Sequence, residues 1–267
     1  IADRMALFCD PVFQNPEGYS TGAVWVAVLA FAIRIYCDFS GYTDMAIGCA
    51  HLLGFRLTQN FNMPYIAKNV SEFWRRWHIS LSTWLRDYLF IPLGGSRGTR
   101  WLVCRNLMIT MTLGGLWHGA NWSFLLWGVL HGLLLVGHRF FREFAQARPR
   151  LDGLLQTLPG TAFRMGLTFF CVMMCWVFFQ PSLSVSMTML ERMFVPHEGL
   201  SSALNPRSLW YTLAFMALCH YVAASGIWRT WSFRIPSPVM GFGYAAALTL
   251  ALLLTPDAGK SFIYFQF

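Results

Sequence analysis

Charged residues are scarce in this chain. They make up 12% of its 267 residues, whereas hydrophobic residues make up 56% and aromatic residues 17%. A water-soluble domain carries about a quarter charged residues, so this composition excludes an ordinary soluble globular protein. With a mean hydropathy of +0.46, the chain is predicted to be an all-α membrane protein that crosses the bilayer several times.

Motifs for metals and cofactors are missing as well. The seven cysteines form no C-x-x-C pair, which excludes a disulfide framework and a cysteine zinc site. The sequence also lacks a P-loop, a G-x-S-x-G elbow, an H-E-x-x-H helix and a dinucleotide fingerprint in the right context. We therefore expect no metal site and no bound cofactor.

Acidic residues are outnumbered, because 12 Asp and Glu face 20 Lys and Arg, giving a net charge of +8. The basic residues are concentrated in short loops between apolar runs, chiefly 56–105 and 139–164. This distribution is typical of the cytoplasmic loops of a membrane protein and not of a nucleic-acid-binding patch. We therefore predict contact with membrane lipid, no nucleic-acid partner, and a cytoplasmic location for both loops.

Six apolar runs are the candidate membrane spans. They lie near residues 21–37, 106–118, 122–138, 163–180, 208–225 and 239–254. Several are shorter than the ~20 residues that a bilayer core requires, which is typical of tilted, re-entrant or protein-buried helices. Since no internal repeat or long linker interrupts the chain, we predict one membrane domain over 1–267. The chain opens at Ile1 without an initiator Met or a signal peptide, so we expect a further N-terminal portion to precede it.

A segment rich in glycine and tryptophan, Gly114–Trp122, places His118 between two of these runs. An ionisable side chain at membrane depth is costly and by default marks a functional site. Imidazole is also suited to proton transfer near neutral pH. The charge distribution makes 106–138 a hairpin with His118 at its far end, about 18 Å from the start. The alternative is a buried histidine bonded to a backbone carbonyl, with the glycines serving only close helix packing.

The segment near 71–90 is predicted to be an amphipathic helix at the membrane boundary. At 100° per residue, one arc of this helix collects apolar side chains: Phe73, Trp74, Trp77, Leu81, Trp84, Leu85, Tyr88 and Leu89. Tryptophan on the apolar face favours an interfacial position. His78 lies at the edge of the arc, where it either points inward to a site or is a half-buried part of an anchor.

Two further pairs of polar residues share helix faces. Arg34 and Asp38 are spaced for a structural ion pair within the first span, which we favour over a catalytic carboxylate. His131 and His138 share a face of the helix that follows His118. We favour a structural or interfacial role for them, with His131 a weaker candidate for contact with a substrate.

Six collinear blocks resemble the membrane-bound O-acyltransferase family, and within it the bacterial branch that contains the membrane subunit of alginate O-acetylation. The blocks are Asp38–Gly48 (DFSGYTDMAIG), Asn60–Tyr65 (NFNMPY), Phe73–Trp84 (FWRRWHISLSTW), Tyr88–Gly95 (YLFIPLGG), Gly115–Trp122 (GLWHGANW) and Phe262–Phe267 (FIYFQF). The resemblance implies a ring of helices around a central tunnel, with some N-terminal helices missing from this chain. It also implies that His118 is the catalytic histidine and that His78 is the second signature position.

The resemblance further implies an activity. An acyl thioester, with acetyl-CoA as the expected donor, enters from the cytoplasm, where basic side chains meet its phosphates. His118 acts as general base and His78 orients the thioester or stabilises the oxyanion. The candidate residues for contact with donor or substrate are Trp74, Arg75, Arg76, Trp77, Arg86, Trp117, Asn121 and His131.

The same resemblance implies a place and partners for the protein. The acetyl group is expected to pass to an exported polysaccharide, or to a periplasmic accessory protein of a polysaccharide-modifying complex, at a bacterial inner membrane. One alternative is a D-alanyl transferase of teichoic acid modification with a carrier-bound donor. The other is a multi-pass transporter whose buried polar residues line a substrate path.

Overall fold

The chain is built from helices throughout the part that the computed structural model describes, residues 1–202, 204–232 and 234–254. The only pairing of extended backbone there is a single bridge between Tyr19 and Leu200. The α-helices are α1 Ala2–Gln14, α2 Thr21–Leu52, α3 Val70–Arg76, α4 Ile79–Leu85, α5 Arg100–Trp117, α6 Trp122–Gln146, α7 Pro149–Gln156, α8 Leu158–Trp176, α9 Leu183–Phe194, α10 Arg207–Ser225, α11 Ile227–Ser232 and α12 Ser237–Leu254. The prediction of an all-α protein is therefore confirmed, whereas the ring around a tunnel stays a prediction.

Helix α2 forms the centre of the core. It begins after Ser20, whose Oγ accepts a hydrogen bond from the Ala23 N–H at 3.4 Å, and it continues for 32 residues. The predicted span at 21–37 is therefore too short. The polar stretch after residue 37 belongs to the same helix, and the Thr43 hydroxyl donates to the Phe39 carbonyl at 3.1 Å. Buried residues of α1, α8 and α9 pack with those of α2 in one apolar cluster.

Three helices are long and apolar enough to cross a membrane: Thr21–Leu52, Trp122–Gln146 and Leu158–Trp176. They correspond to the runs at 21–37, 122–138 and 163–180. Helices α5, α10 and α12 occupy the other three predicted spans, but within the described residues none of them reaches that length and apolarity. The sequence and the structure together make the chain an all-α membrane protein.

The sequence analysis misses four helices of the structure, α1, α7, α9 and α11. Helix α1 buries Met5, Phe8 and Val12 against α2, and it carries Asp10, which forms an ion pair with Arg34. The partner of the buried Arg34 guanidinium thus comes from another helix, and a pairing of Arg34 with Asp38 stays a prediction.

The segment near 71–90 is not one helix. Helix α3 ends at Arg76, α4 begins at Ile79, and a π-helix follows at Arg86–Phe90. Consequently the predicted apolar arc is divided, because Phe73 and Trp77 are buried whereas Trp84 is 52% and Tyr88 70% exposed. An interfacial position for this segment stays a prediction.

Candidate functional site

His78 stands at the break between α3 and α4. Its backbone has φ 42° and ψ 57°, the left-handed conformation, which is uncommon outside glycine and often marks a functional position. The loop before α3 braces this break. The Asn60 carbonyl accepts from the Ile79 N–H at 3.0 Å, and the Asn60 side-chain oxygen accepts from the Ser80 N–H at 3.1 Å and from the Ser80 hydroxyl at 2.6 Å.

The imidazole of His78 is buried, with 9% of the residue exposed. Its ring meets Phe39 edge-on with 4.8 Å between centroids, and its Nδ1 lies 3.4 Å from the Ser80 hydroxyl. Burial lowers the pKa of His78 to about 4, although a backbone hydrogen bond opposes part of that effect. The ring is therefore neutral at neutral pH, with one nitrogen to donate and one to accept.

His118 lies at the turn of the α5–α6 hairpin. It follows the last residue of α5, and its N–H donates to the Gly115 carbonyl at 3.0 Å. Helix α6 begins after Asn121, whose Oδ1 accepts from the Ser123 N–H at 3.0 Å. The Asn121 side-chain amide also donates to the Pro181 carbonyl. Asn121 therefore stabilises the turn beside His118. The sequence analysis lists it only as a candidate substrate contact and does not predict this structural role.

Two glycines bring α5 and α6 into backbone contact. A Cβ on Gly115 would lie 2.3 Å from the Phe124 carbonyl, and a Cβ on Gly128 would lie 2.4 Å from the Met111 carbonyl. Both distances are too short for any side chain. The packing role considered for the glycines therefore holds at Gly115, and it sets the position of His118 at the end of the hairpin.

Aromatic rings surround the His118 imidazole. Trp117, Trp127 and Phe179 meet it edge-on with centroid distances of 5.0, 5.2 and 4.8 Å. Phe179 comes from the segment after α8, and neither it nor Trp127 is singled out by the sequence analysis. Phe179 lies far from His118 in the sequence, so no local pattern points to the contact.

Trp117 contacts both histidines. Its indole centroid is 5.0 Å from that of His118 and 6.2 Å from that of His78. Trp117 is 58% exposed and lines a cavity of about 340 Å³ together with His78, Ser80, Leu81 and Trp84. The structure thus brings the two predicted catalytic histidines, from separate elements, to one indole beside an open cavity.

A third histidine, His131, lies behind His118. It is fully buried, its Nδ1 accepts a hydrogen bond from Trp74 Nε1 at 3.3 Å, and its ring is 4.7 Å from that of Trp127. Trp127 therefore separates His131 from His118. The Nε2 of His131 has no hydrogen-bond partner among the described residues.

The other predicted contact residues are dispersed. Trp77 is buried against Trp176, with 5.0 Å between centroids. Arg75 donates to the Ser71 hydroxyl at 3.1 Å, Arg76 pairs with Glu72 at 2.8 Å, and Arg86 pairs with its neighbour Asp87 at 2.7 Å. Within the described part of the chain, no three His, Cys, Asp or Glu side chains are grouped to hold a metal ion.

Known proteins resemble this chain over most of its length. Residues 18–180, more than half of the chain, match the family model described as MBOAT, membrane-bound O-acyltransferase family. A probable alginate O-acetylase of Azotobacter vinelandii is 45% identical over 226 residues, which cover 84% of this chain and 43% of that protein. A peptidoglycan O-acetyltransferase of Helicobacter pylori is 40% identical over 224 residues, or 82% of this chain and 37% of that protein.

A relative with lower sequence identity has a different activity in its name. A teichoic acid D-alanyltransferase of Bacillus subtilis is 33% identical over 123 residues, which cover 43% of this chain and 31% of that protein. The chain spans less than half the length of each of these three relatives.

Proposed function

The chain belongs to the membrane-bound O-acyltransferase family, and on this premise we propose that the whole protein is an O-acetyltransferase of a bacterial inner membrane. It passes an acetyl group from a cytoplasmic thioester, acetyl-CoA in the first instance, to an exported polysaccharide or to a periplasmic accessory protein. The observation that carries the proposal is the convergence of His78 and His118 on Trp117 beside a cavity of about 340 Å³.

His118 is the general base in this proposal. Its unprotonated ring nitrogen takes the proton of the acceptor hydroxyl while the hydroxyl oxygen attacks the thioester carbonyl carbon. The tetrahedral intermediate then collapses, the carbon–sulfur bond breaks, and the proton passes from His118 to the departing thiolate. An ester and a free thiol are the products, so the imidazole ends the cycle neutral, as it began.

His78 supports the same step as a hydrogen-bond donor. Its neutral ring donates one N–H, either to the thioester carbonyl or to the oxyanion that forms from it. Removing one such donor from an acyl-transfer enzyme typically costs about 10²–10³ in rate. The backbone at His78 is braced by Asn60, and its ring packs against Phe39 and lies 3.4 Å from the Ser80 hydroxyl. His78 therefore stays in one position while charge develops on the oxygen.

The proposal also includes contact with the donor by a further set of residues: Trp74, Arg75, Arg76, Trp77, Arg86 and His131. Arg76 and Arg86 are each paired with a carboxylate, so a phosphate would have to compete for them. Arg75 makes no ion pair within the described residues. Of these three arginines it is therefore the one most available to bind a phosphate.

The experiment supplies labelled acetyl-CoA to membranes that contain the full-length protein and its accessory proteins. The expected result is label on the polysaccharide or on an accessory protein. Loss of this label in His118→Ala membranes would show that the transfer requires His118. A D-alanyl transferase would instead label its acceptor only from a carrier-bound D-alanyl thioester. Uptake of substrate into sealed vesicles without any acylated product would favour the transporter.

A further inference from the structure

A cavity of about 540 Å³ lies between α8 and α10. Its remaining walls come from α2, from the loop before α3 and from the end of α3. His78, His118 and Trp117 are not among the described residues that line it. The cavity is therefore separate from the proposed active site.

The side walls of this cavity are apolar. Helix α8 contributes Met165 and Phe169, and α10 contributes Leu213, Ala217 and Ala224. The three residues of α10 are four and seven residues apart, so they share one face of the helix. From the first to the last of them the distance along α10 is about 16 Å at the rise of an α-helix. This length is close to half of the ~30 Å hydrocarbon core of a bilayer, which is the depth that one acyl chain of one leaflet occupies.

One end of the cavity is basic, because Lys68 and Arg76 line it. None of the lining residues within the described part of the chain is Asp or Glu. Arg76 pairs with Glu72 outside the lining at 2.8 Å, whereas Lys68 forms no ion pair among the described residues. Lys68 is also exposed. The charge that remains at this end is therefore one positive charge, in a stretch predicted to face the cytoplasm.

The cavity opens at a surface suited to contact with lipid. Helix α8 is long and apolar enough to cross a membrane, and Ala217, Tyr221 and Ala224 form an exposed rim on α10. The small side chains on either side of Tyr221 leave a narrow gap. A helix about 16 Å long and about 10 Å wide would need about 1,200 Å³, more than twice the volume of the cavity. A single extended hydrocarbon chain is therefore a better fit than a further helix.

We infer that this cavity binds one anionic phospholipid of the surrounding membrane. Its phosphate lies against the ammonium group of Lys68 beside Arg76, and one acyl chain lies between α8 and α10. Lysine binds phosphate as a point charge, and basic residues near a membrane attract anionic lipids. Phosphatidylglycerol has the required chemistry, since its phosphate carries one negative charge and its head group has no cation. The inference does not depend on the proposed acyl transfer.

The test is to count the phospholipid bound to the full-length protein in detergent by native mass spectrometry, with phosphatidylglycerol and phosphatidylcholine supplied in equal amounts. The wild type should bind phosphatidylglycerol in about tenfold excess, because one charged hydrogen bond contributes about that factor. Lys68→Gln should remove most of this preference. The matched control is Arg150→Gln on α7, an exposed arginine outside the lining, which should keep the preference within about twofold. An unchanged preference in Lys68→Gln would overturn the inference.

A second variant tests the place of the acyl chain. Ala217→Trp fills the cavity without removing charge and should lower the binding of both lipids. Ala223→Trp is its control, because Ala223 is exposed on α10 and does not line the cavity. If the two tryptophan variants bind phosphatidylglycerol equally well, the chain lies outside the cavity and the inference is wrong.

A photoactivatable phosphatidylglycerol tests the wild type directly, so this measurement does not require any variant to fold. A diazirine in its acyl chain should label the peptides that contain Phe169 of α8 and Leu213 of α10. Label confined to other peptides would contradict the inference, and so would a full-length protein that binds no phosphatidylglycerol because another part of the protein fills the cavity. Displacement of the lipid by excess coenzyme A would show that Lys68 serves the donor instead.

Lipid binding and acyl transfer are scored separately. His118→Ala should bind phosphatidylglycerol like the wild type. A protein that binds the lipid through Lys68 and transfers no acyl group would refute the proposed function and keep this site. Transfer by a protein without a preference for phosphatidylglycerol would refute this site and keep the function.

Discussion

Gly115 of α5 and Gly128 of α6 face each other at the turn that carries His118, and a Cβ on Gly115 would lie 3.0 Å from the Cα of Gly128. The contact is between main chains, so neither helix can yield to a side chain without moving as a whole. The position of His118, the proposed general base, therefore depends on two residues that have no reactive side chain.

We predict that Gly115→Ala lowers acyl transfer about 100-fold, because a shift of about 1 Å in a reacting group has that effect. Overpacking should also reduce stability by about 1–3 kcal/mol. Gly166→Ala on α8 is the control, since a Cβ there meets nothing within 4 Å. Transfer rate and thermal midpoint are measured for both variants, and equal behaviour of the two would contradict the packing argument.

The left-handed backbone at His78 predicts an order of stability among variants substituted at this position. Asparagine tolerates φ near 42°, whereas a β-branched residue does not. His78→Val should therefore be about 1–2 kcal/mol less stable than His78→Asn. Thermal unfolding in detergent measures the difference. Equal stability would mean that the backbone relaxes when the imidazole is removed.

The buried imidazole of His78 also predicts a dependence of stability on pH. Burial lowers its pKa from 6.5 to about 4, so the unfolded chain binds the proton more readily than the folded one. This contribution to stability is complete above pH 6.5 and is lost as the pH falls toward 4. Midpoints measured between pH 7.5 and 4.5 should fall less in His78→Asn than in the wild type. Parallel curves for the two proteins would argue against a buried, neutral ring.

The ion pair between Arg34 and Asp10 predicts a cost for removing one partner. Arg34 is 4% exposed, so Asp10→Asn leaves a buried guanidinium without this carboxylate and should reduce stability by about 3 kcal/mol. Asp87→Asn is the control, because Asp87 pairs with Arg86 at the surface. Its midpoint should match the wild type. An Asp10→Asn protein as stable as the control would show that other groups compensate the charge of Arg34.

Hydropathy predicts the apolar helices better than it predicts where they end. The run at 21–37 is part of a helix that continues to Leu52, because polar residues such as Ser40 and Thr43 lower hydropathy without breaking an α-helix. Helix α1 escapes a search for long apolar runs, although Met5, Phe8 and Val12 recur at helical spacing. That periodicity was sufficient to predict it.

The two histidines differ in how far the sequence determines their surroundings. The glycines and Asn121 beside His118 are local, so a turn between two helices follows from the segment itself. The break at His78 is instead braced by hydrogen bonds that the Ile79 and Ser80 N–H groups donate to Asn60. Because Asn60 is distant along the chain, helical periodicity alone predicts an unbroken helix. The ending at 262–267, which contributes to the family resemblance, lies outside the described residues.

The measurement that tests the central claim most directly is acyl transfer by His118→Ala, with and without added imidazole, in full-length protein that folds like the wild type. If His118 is the general base, transfer falls by about 10²–10⁴, and imidazole that enters the space left by the side chain restores part of it. Transfer near the wild-type rate in the folded variant would contradict the assignment of His118 as the base.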